Sequence, residues 1–112
     1  YTKVLDHNGN VIIDKTVPDS HRVLREQSAF LLTSAMKDVV YAAGGTGARC
    51  QLPNMVVAGK TGTTSNNKDS WFAGFTNVDN PDLAICVVVE SADNSGMSAV
   101  TVTKKILNAY YN

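Results

Sequence analysis

Apolar and polar positions along the chain divide it into short, readable elements. Tyr1–Leu5 and Val11–Lys15 flank Asp6-His7-Asn8-Gly9-Asn10. Asn and Gly tolerate the positive φ of a tight turn, so this pattern predicts a β-hairpin. Thr16–Arg22, with Pro18, reads as a connector. From about Glu26 to Ala43, Ala29, Leu32, Met36, Val39, Val40 and Ala43 recur at three- and four-residue steps. That spacing predicts a helix with one apolar face, stopped by Gly44-Gly45. Arg25 stands at the expected cap, where it offers no capping oxygen. Thr46–Asn54 reads as a loop.

Three strand-like runs follow, at about Val56–Thr63, Ser70–Thr76 and Leu83–Glu90. Short polar turns join them, including Asn77–Asp82 with Pro81, so an antiparallel meander is predicted. After the Ser91–Gly96 loop, Ser98 can cap a last helix lying across the sheet. Ala99, Val102, Ile106 and Ala109 are its predicted buried face. Val100, Val102 and the nearby threonines weaken helix propensity there, so packing must hold it. The fold class is therefore α+β: a three-stranded antiparallel meander, flanking helices and an N-terminal hairpin.

The end of the first meander strand is the one stretch poorly suited to plain packing. Lys60-Thr61-Gly62-Thr63 follows the apolar Met55-Val56-Val57-Ala58-Gly59 and precedes a polar turn, Thr64-Ser65-Asn66-Asn67-Lys68. Lys60 carries a cation with three donors. Thr61 and Thr63 carry hydroxyls that can bond a carboxylate. Gly59 and Gly62 lack Cβ atoms, so another backbone can approach. A backbone N–H near Thr63 can stabilise an oxyanion. Lys60 and Thr61 point to opposite sides of an ideal strand, so both serve one ligand only where the strand borders a cleft. A strand end with a solvated lysine and a Thr-rich turn would use the same residues; the surroundings decide.

Those surroundings resemble a known family. Val57-Ala58-Gly59-Lys60-Thr61-Gly62-Thr63-Thr64, then Asp69-Ser70-Trp71-Phe72-Ala73-Gly74-Phe75-Thr76, resembles the third box and following strand of the serine penicillin-binding proteins, above all the class A, bifunctional type. The hairpin at Tyr1–Gly9, the helix at Glu26–Val40 and the loop Gly45-Thr46-Gly47-Ala48-Arg49 fit the same class. Phe75 stands where tyrosine is usual. The resemblance implies that residues 1–112 are the C-terminal portion of a transpeptidase domain. Its serine-x-x-lysine and serine-x-asparagine boxes would lie upstream, so the fragment is expected to be inactive by itself.

The implied activity is a D,D-transpeptidase that cross-links peptidoglycan by serine acyl transfer, with a glycosyltransferase domain elsewhere in the parent. Its ligands would be stem peptides ending in D-Ala-D-Ala and β-lactam antibiotics. Lys60, Thr61, Gly62 and Thr63 would bind the substrate, with Lys60 and Thr63 catalytic. The parent would sit at the extracytoplasmic face of the bacterial cytoplasmic membrane, held by an N-terminal anchor. The missing N-terminal half of the domain would be a partner, and the fragment alone could self-associate through the surface that half covers. A penicillin-recognising sensor or other non-catalytic binding module, and a D,D-carboxypeptidase, share this box and stay open as alternatives.

Two look-alikes carry less. Ser34-Ala35-Met36-Lys37 spells serine-x-x-lysine, with both side chains on one helix face. It lies only a helix end and a loop before the third box, in the helix the family does not use for catalysis. Ser65-Asn66-Asn67 falls in a turn, where such residues serve turn chemistry. His7 and His21, both in loops, read as solvated.

Composition narrows the partners. The 112 residues are 44% hydrophobic and 18% charged, with ten basic and ten acidic residues and no net charge. This excludes a disordered chain and argues against nucleic acid or an anionic membrane surface as main partner. No apolar run approaches the roughly 20 residues of a membrane span. Cys50 and Cys86 are too few for a metal site and read as free thiols, Cys86 within a buried-looking strand, while the extracytoplasmic setting that the resemblance implies leaves a disulfide between them open. No cofactor is implied.

Overall fold

The computed structural model describes residues 2–17, 20–66, 68–92 and 97–112. Its elements run β1 (Lys3–Leu5), β2 (Val11–Asp14), α1 (Glu26–Tyr41), a 3-10 turn (Ala48–Cys50), β3 (Val57–Thr63), β4 (Ser70–Thr76), β5 (Ala84–Val89) and α2 (Ala99–Tyr111). The architecture is the α+β arrangement expected: a two-stranded hairpin and a three-stranded antiparallel sheet in the order β3-β4-β5.

Asp6 closes the hairpin. Its Oδ1 accepts from the Asn8 and Asn10 amides at 2.8 Å, and Gly9 takes φ +85°. These bonds, led by the Asn10 side chain, hold the Asp6 carboxyl below its usual value.

In the larger sheet, Thr61, Phe72 and Val87 stand in one cross-strand row, and Gly59, Gly74 and Ile85 in the next. Side chains alternate between faces. The face bearing this set packs on α2, and Phe72 and Leu107 are fully buried there with Val57, Val87 and Val100. The other face carries Lys60, Trp71, Ala73, Cys86 and Val88, all exposed.

Ser98 caps α2 as expected, its Oγ accepting from Thr101 N at 3.3 Å. Ser70 Oγ accepts a second free amide, Ala99 N, at 2.9 Å. The buried face of α2 differs from the expectation. Ala99, Val100, Thr103 and Leu107 face the sheet, whereas Ile106 and Ala109 are exposed and Val102 is half-buried. The stripe is rotated by about one position: Leu107 joins Phe72 in the buried core, and a threonine is admitted beside the apolar residues.

The apolar stripe of α1 also departs from expectation. Only Val40 is buried; Met36 and Val39 are half-buried, and Ala29 and Leu32 are exposed. The first half of the helix extends beyond the sheet. The chain has a radius of gyration of 18.3 Å, where a compact chain of this length has about 13 Å. Phe30 and Leu31 remain 72% and 67% exposed on that extension. Arg25 makes no capping bond, and Glu26 in the first turn pairs with Arg22 at 2.6 Å.

Candidate functional site

β3 is an edge strand, and its backbone phase can be read from its two ends. Thr64 N donates to Asp69 O at 3.1 Å, inside the sheet. Val57 N instead donates to Tyr41 Oη at 3.1 Å, on the side away from β4. In an antiparallel pair, alternate residues turn both backbone groups to the same side. Residues 57, 59, 61 and 63 therefore direct N–H and C=O to the open edge, and 58, 60 and 62 bond to β4. Tyr41, whose hydroxyl also donates to Met55 O at 3.2 Å, covers the upstream end of that edge.

The expected site residues meet at this edge. Lys60 lies on the exposed face, yet its Nζ donates to Thr61 O, one of the edge carbonyls. The ammonium thus folds around the strand, so alternation does not separate Lys60 from Thr61. Thr61 points to the α2 side, where its Oγ1 lies 2.7 Å from Thr46 Oγ1. Thr63, exposed, stands on the same side with its N–H turned outward.

A cleft of ≈ 390 Å³ opens there, lined by Thr46, Arg49, Thr61, Thr63, Ser70 and Ser98 and bordered by Gly62. Among the described residues, one guanidinium and five hydroxyls line it, and no carboxylate does. Such a lining suits an oxyanion-bearing ligand. Thr46, Arg49 and Tyr41 are contributions that no strand pattern reveals; the glycines around Thr46 are their only local signal. An apolar cavity of ≈ 150 Å³ at the other end of α2, beside Leu52 and Tyr111, contains none of the candidate residues.

The two glycines divide. Gly62 is half-buried at the cleft, and a Cβ there would meet only Trp71, with Cβ at 3.3 Å and Cγ at 3.9 Å. Gly59 is not bare backbone for a ligand. The Phe72 ring occupies the space, and a Cβ would overlap Phe72 Cζ and lie 2.8 Å from Cε2.

The look-alikes lie elsewhere. Ser34 and Lys37 line a separate surface hollow with Val78 and Asp79. Ser65 and Asn66 are in the β3–β4 turn, and Asn67 lies outside the described residues. Cys50 is buried, its Sγ donating to Val100 O at 3.3 Å, and burial pushes its thiol up to about 11. Cys86, expected in a buried strand, is exposed on the opposite sheet face, because β5 packs α2 on one side only. Among the described residues, no cluster of three or more His, Cys, Asp or Glu could hold a metal. No described helix is long and apolar enough to cross a membrane.

This fold is the one seen in penicillin-binding transpeptidase domains. The D,D-transpeptidase domain of a peptidoglycan glycosyltransferase from Eggerthella lenta superposes with a TM-score of 0.73 at 25% identity, over 97% of this chain and 26% of that one. Penicillin-binding protein A from M. tuberculosis, solved as an imipenem acyl-enzyme complex, shares the fold with a TM-score of 0.68 at 22% identity, over 99% of this chain and 26% of its own. The family described as "Penicillin binding protein transpeptidase domain" matches residues 2–109, and the chain belongs to it. Penicillin-binding protein 1A of Clostridium perfringens (strain 13) is 42% identical over 76 residues, 68% of this chain and 11% of that protein. Penicillin-binding protein 1B of Vibrio cholerae is 42% identical over 71 residues, 63% of this chain and 9% of that protein. These relatives are class A proteins, and the chain spans about a tenth of their length.

Proposed function

We propose that this chain is the C-terminal, substrate-gripping part of a peptidoglycan D,D-transpeptidase domain. The observation that carries the reading is the open edge of β3. There the Lys60 ammonium, the Thr61 and Thr63 side chains and the outward Thr63 N–H come together beside a cleft with no acidic side chain among its described lining residues. The terminal carboxylate of a stem peptide, or the equivalent group of a β-lactam, would bind Thr61 and Thr63 in the field of Lys60.

In this reading the nucleophilic serine comes from a box upstream in the parent. Its oxygen attacks the penultimate D-alanine carbonyl, and the Thr63 N–H stabilises the oxyanion. The peptide C–N bond breaks, D-alanine leaves with the proton, and an acyl-enzyme forms. An amine of a neighbouring stem then attacks the ester, restoring the serine and forming the cross-link. β-Lactams arrest the cycle at the acyl-enzyme. The active site would face the extracytoplasmic side of the bacterial membrane.

Lys60→Ala in the full-length protein tests this. Acylation by a β-lactam should slow by about 10²-fold or more, the scale of a lost, positioned electrostatic group. Unfolding should be unchanged, because Lys60 is exposed. An unaltered acylation rate in stopped flow would remove Lys60 from the site.

A further inference from the structure

Thr46 contributes no atom to β3, yet its hydroxyl touches the second residue of the Lys60–Thr63 stretch. The Thr46 Oγ1–Thr61 Oγ1 separation is 2.7 Å, a normal O–H···O bond in which either oxygen can donate. The direction matters. A threonine hydroxyl has one proton and two lone pairs. If Thr61 donates to Thr46, it has no proton left for an anion. If Thr46 donates to Thr61, the Thr61 proton is free to point into the cleft, and the polarised pair donates more strongly.

The support of Thr46 is rigid. Gly45 N donates to Ala42 O at 2.9 Å, and Gly47 N donates to Val39 O at 2.8 Å, both at the end of α1. A Cβ on Gly45 would stand 2.5 Å from Val39 O and 3.0 Å from Ala42 O. One on Gly47 would stand 3.2 Å from Val39 O and 3.3 Å from two valine methyls. Both glycines are thus pressed against the helix end, and Thr46 is held between them. Thr61, β-branched, has few χ1 choices of its own.

We infer that Thr46 is a positioning residue: its hydroxyl donates to Thr61 and turns the Thr61 proton toward a carboxylate in the cleft. The inference rests on the carboxylate-binding reading above. It makes the end of α1 part of the ligand grip and gives the Gly-Thr-Gly loop a chemical task.

The test compares the wild type with Thr46→Val and Thr46→Ser. N-Acetyl-D-alanyl-D-alanine and its methyl ester are titrated into the labelled protein, with amide shifts at Thr61 and Thr63 as readout. Loss of the hydroxyl should weaken binding of the free acid by about three- to tenfold, the scale of one hydrogen bond to an exposed group. Binding of the neutral ester should not change, and Thr46→Ser should restore the acid. A role in packing alone would weaken both ligands together, and that result overturns the inference. So does an acid affinity unchanged in Thr46→Val. A wild type that binds the acid no better than the ester overturns the carboxylate reading and this inference with it. Should Thr46→Val not fold, Thr46→Ala takes its place with the same two ligands: selective weakening of the acid supports the positioning, and equal weakening of both, or none, overturns it.

Discussion

Gly59 sits one residue before the lysine, and its value to the protein lies in the core. Gly59→Ala would drive a methyl into the Phe72 ring, with 2.8 Å to Cε2 and 3.1 Å to Ala73 O. Neither neighbour can yield. Phe72 is completely buried under α2, and Ala73 belongs to the central strand β4, paired on both sides. Overpacking of this kind costs roughly 1–3 kcal/mol, and a fixed ring places it at the upper end. Replacing glycine at a permissible φ returns about 0.4–1 kcal/mol through the unfolded chain. The net destabilisation is then about 2 kcal/mol. Gly62→Ala is the control. Its Cβ would meet only Trp71, with Cβ at 3.3 Å and Cγ at 3.9 Å, a contact relieved by a shift of a few tenths of an ångström. Its net effect should fall within about 0.5 kcal/mol of zero. Urea unfolding of both variants, with m-values checked for constancy, measures the difference. Phe72→Leu shortens the obstructing ring, so in the double variant the two costs should fall short of additivity by about 1 kcal/mol. Equal stabilities for the two alanine variants, or strict additivity of Gly59→Ala with Phe72→Leu, would refute the packing argument.

Three further outcomes are expected. Thr103 Oγ1 is buried without a hydrogen-bond partner among the described residues, so Thr103→Val should stabilise the fold by about 1 kcal/mol in the same unfolding assay. Asp82 accepts from Thr76 Oγ1 at 2.8 Å and from Tyr111 Oη at 3.0 Å, and these bonds, Thr76 first, hold its carboxyl below the ordinary 3.8. A depressed carboxylate contributes stability above its unfolded value and loses it as pH falls through the lower folded value, so Asp82→Asn should flatten the acid limb of stability below 3.8, read as unfolding midpoints against pH. At neutral pH, iodoacetamide should modify exposed Cys86 and spare Cys50, whose thiol burial pushes up to about 11, with peptide mapping as the readout.

Much of the fold was legible because its signals are local. Strand β4 occupies Ser70–Thr76 as the alternation requires, and β3, β5 and α1 differ from expectation only by a residue or two at their ends. The Ser98 cap is likewise where a hydroxyl before an apolar run puts it. What periodicity could not supply is which neighbour each face meets. In α2 the apolar residues admit two adjacent stripes, and the choice of Leu107 over Ile106 is made by the core it joins, whose Val57, Phe72 and Val87 lie far away in sequence. Ala29 and Leu32 continue the period of α1, but no sheet lies beneath that end of the helix. The candidate site was legible at Lys60–Thr63, where the residue types are unusual for a strand end. Thr46, Arg49 and Tyr41 were not, since each reaches β3 only through the turn that follows α1 or through the end of that helix.

The phase of β3 also limits how this protein can change over time. Each residue there has a fixed assignment, either ladder or open edge, α2 side or exposed side. A substitution alters one assignment. Inserting or deleting one residue between Val57 and Lys60 would invert all that follow, because the side-chain period is two. Thr61 and Thr63 would turn away from the cleft, and the N–H of Thr63 would turn into the sheet. The length of this strand should therefore be held more tightly than its composition. Additions and losses should collect in the connection at 77–82, where they leave the phase of β3 untouched.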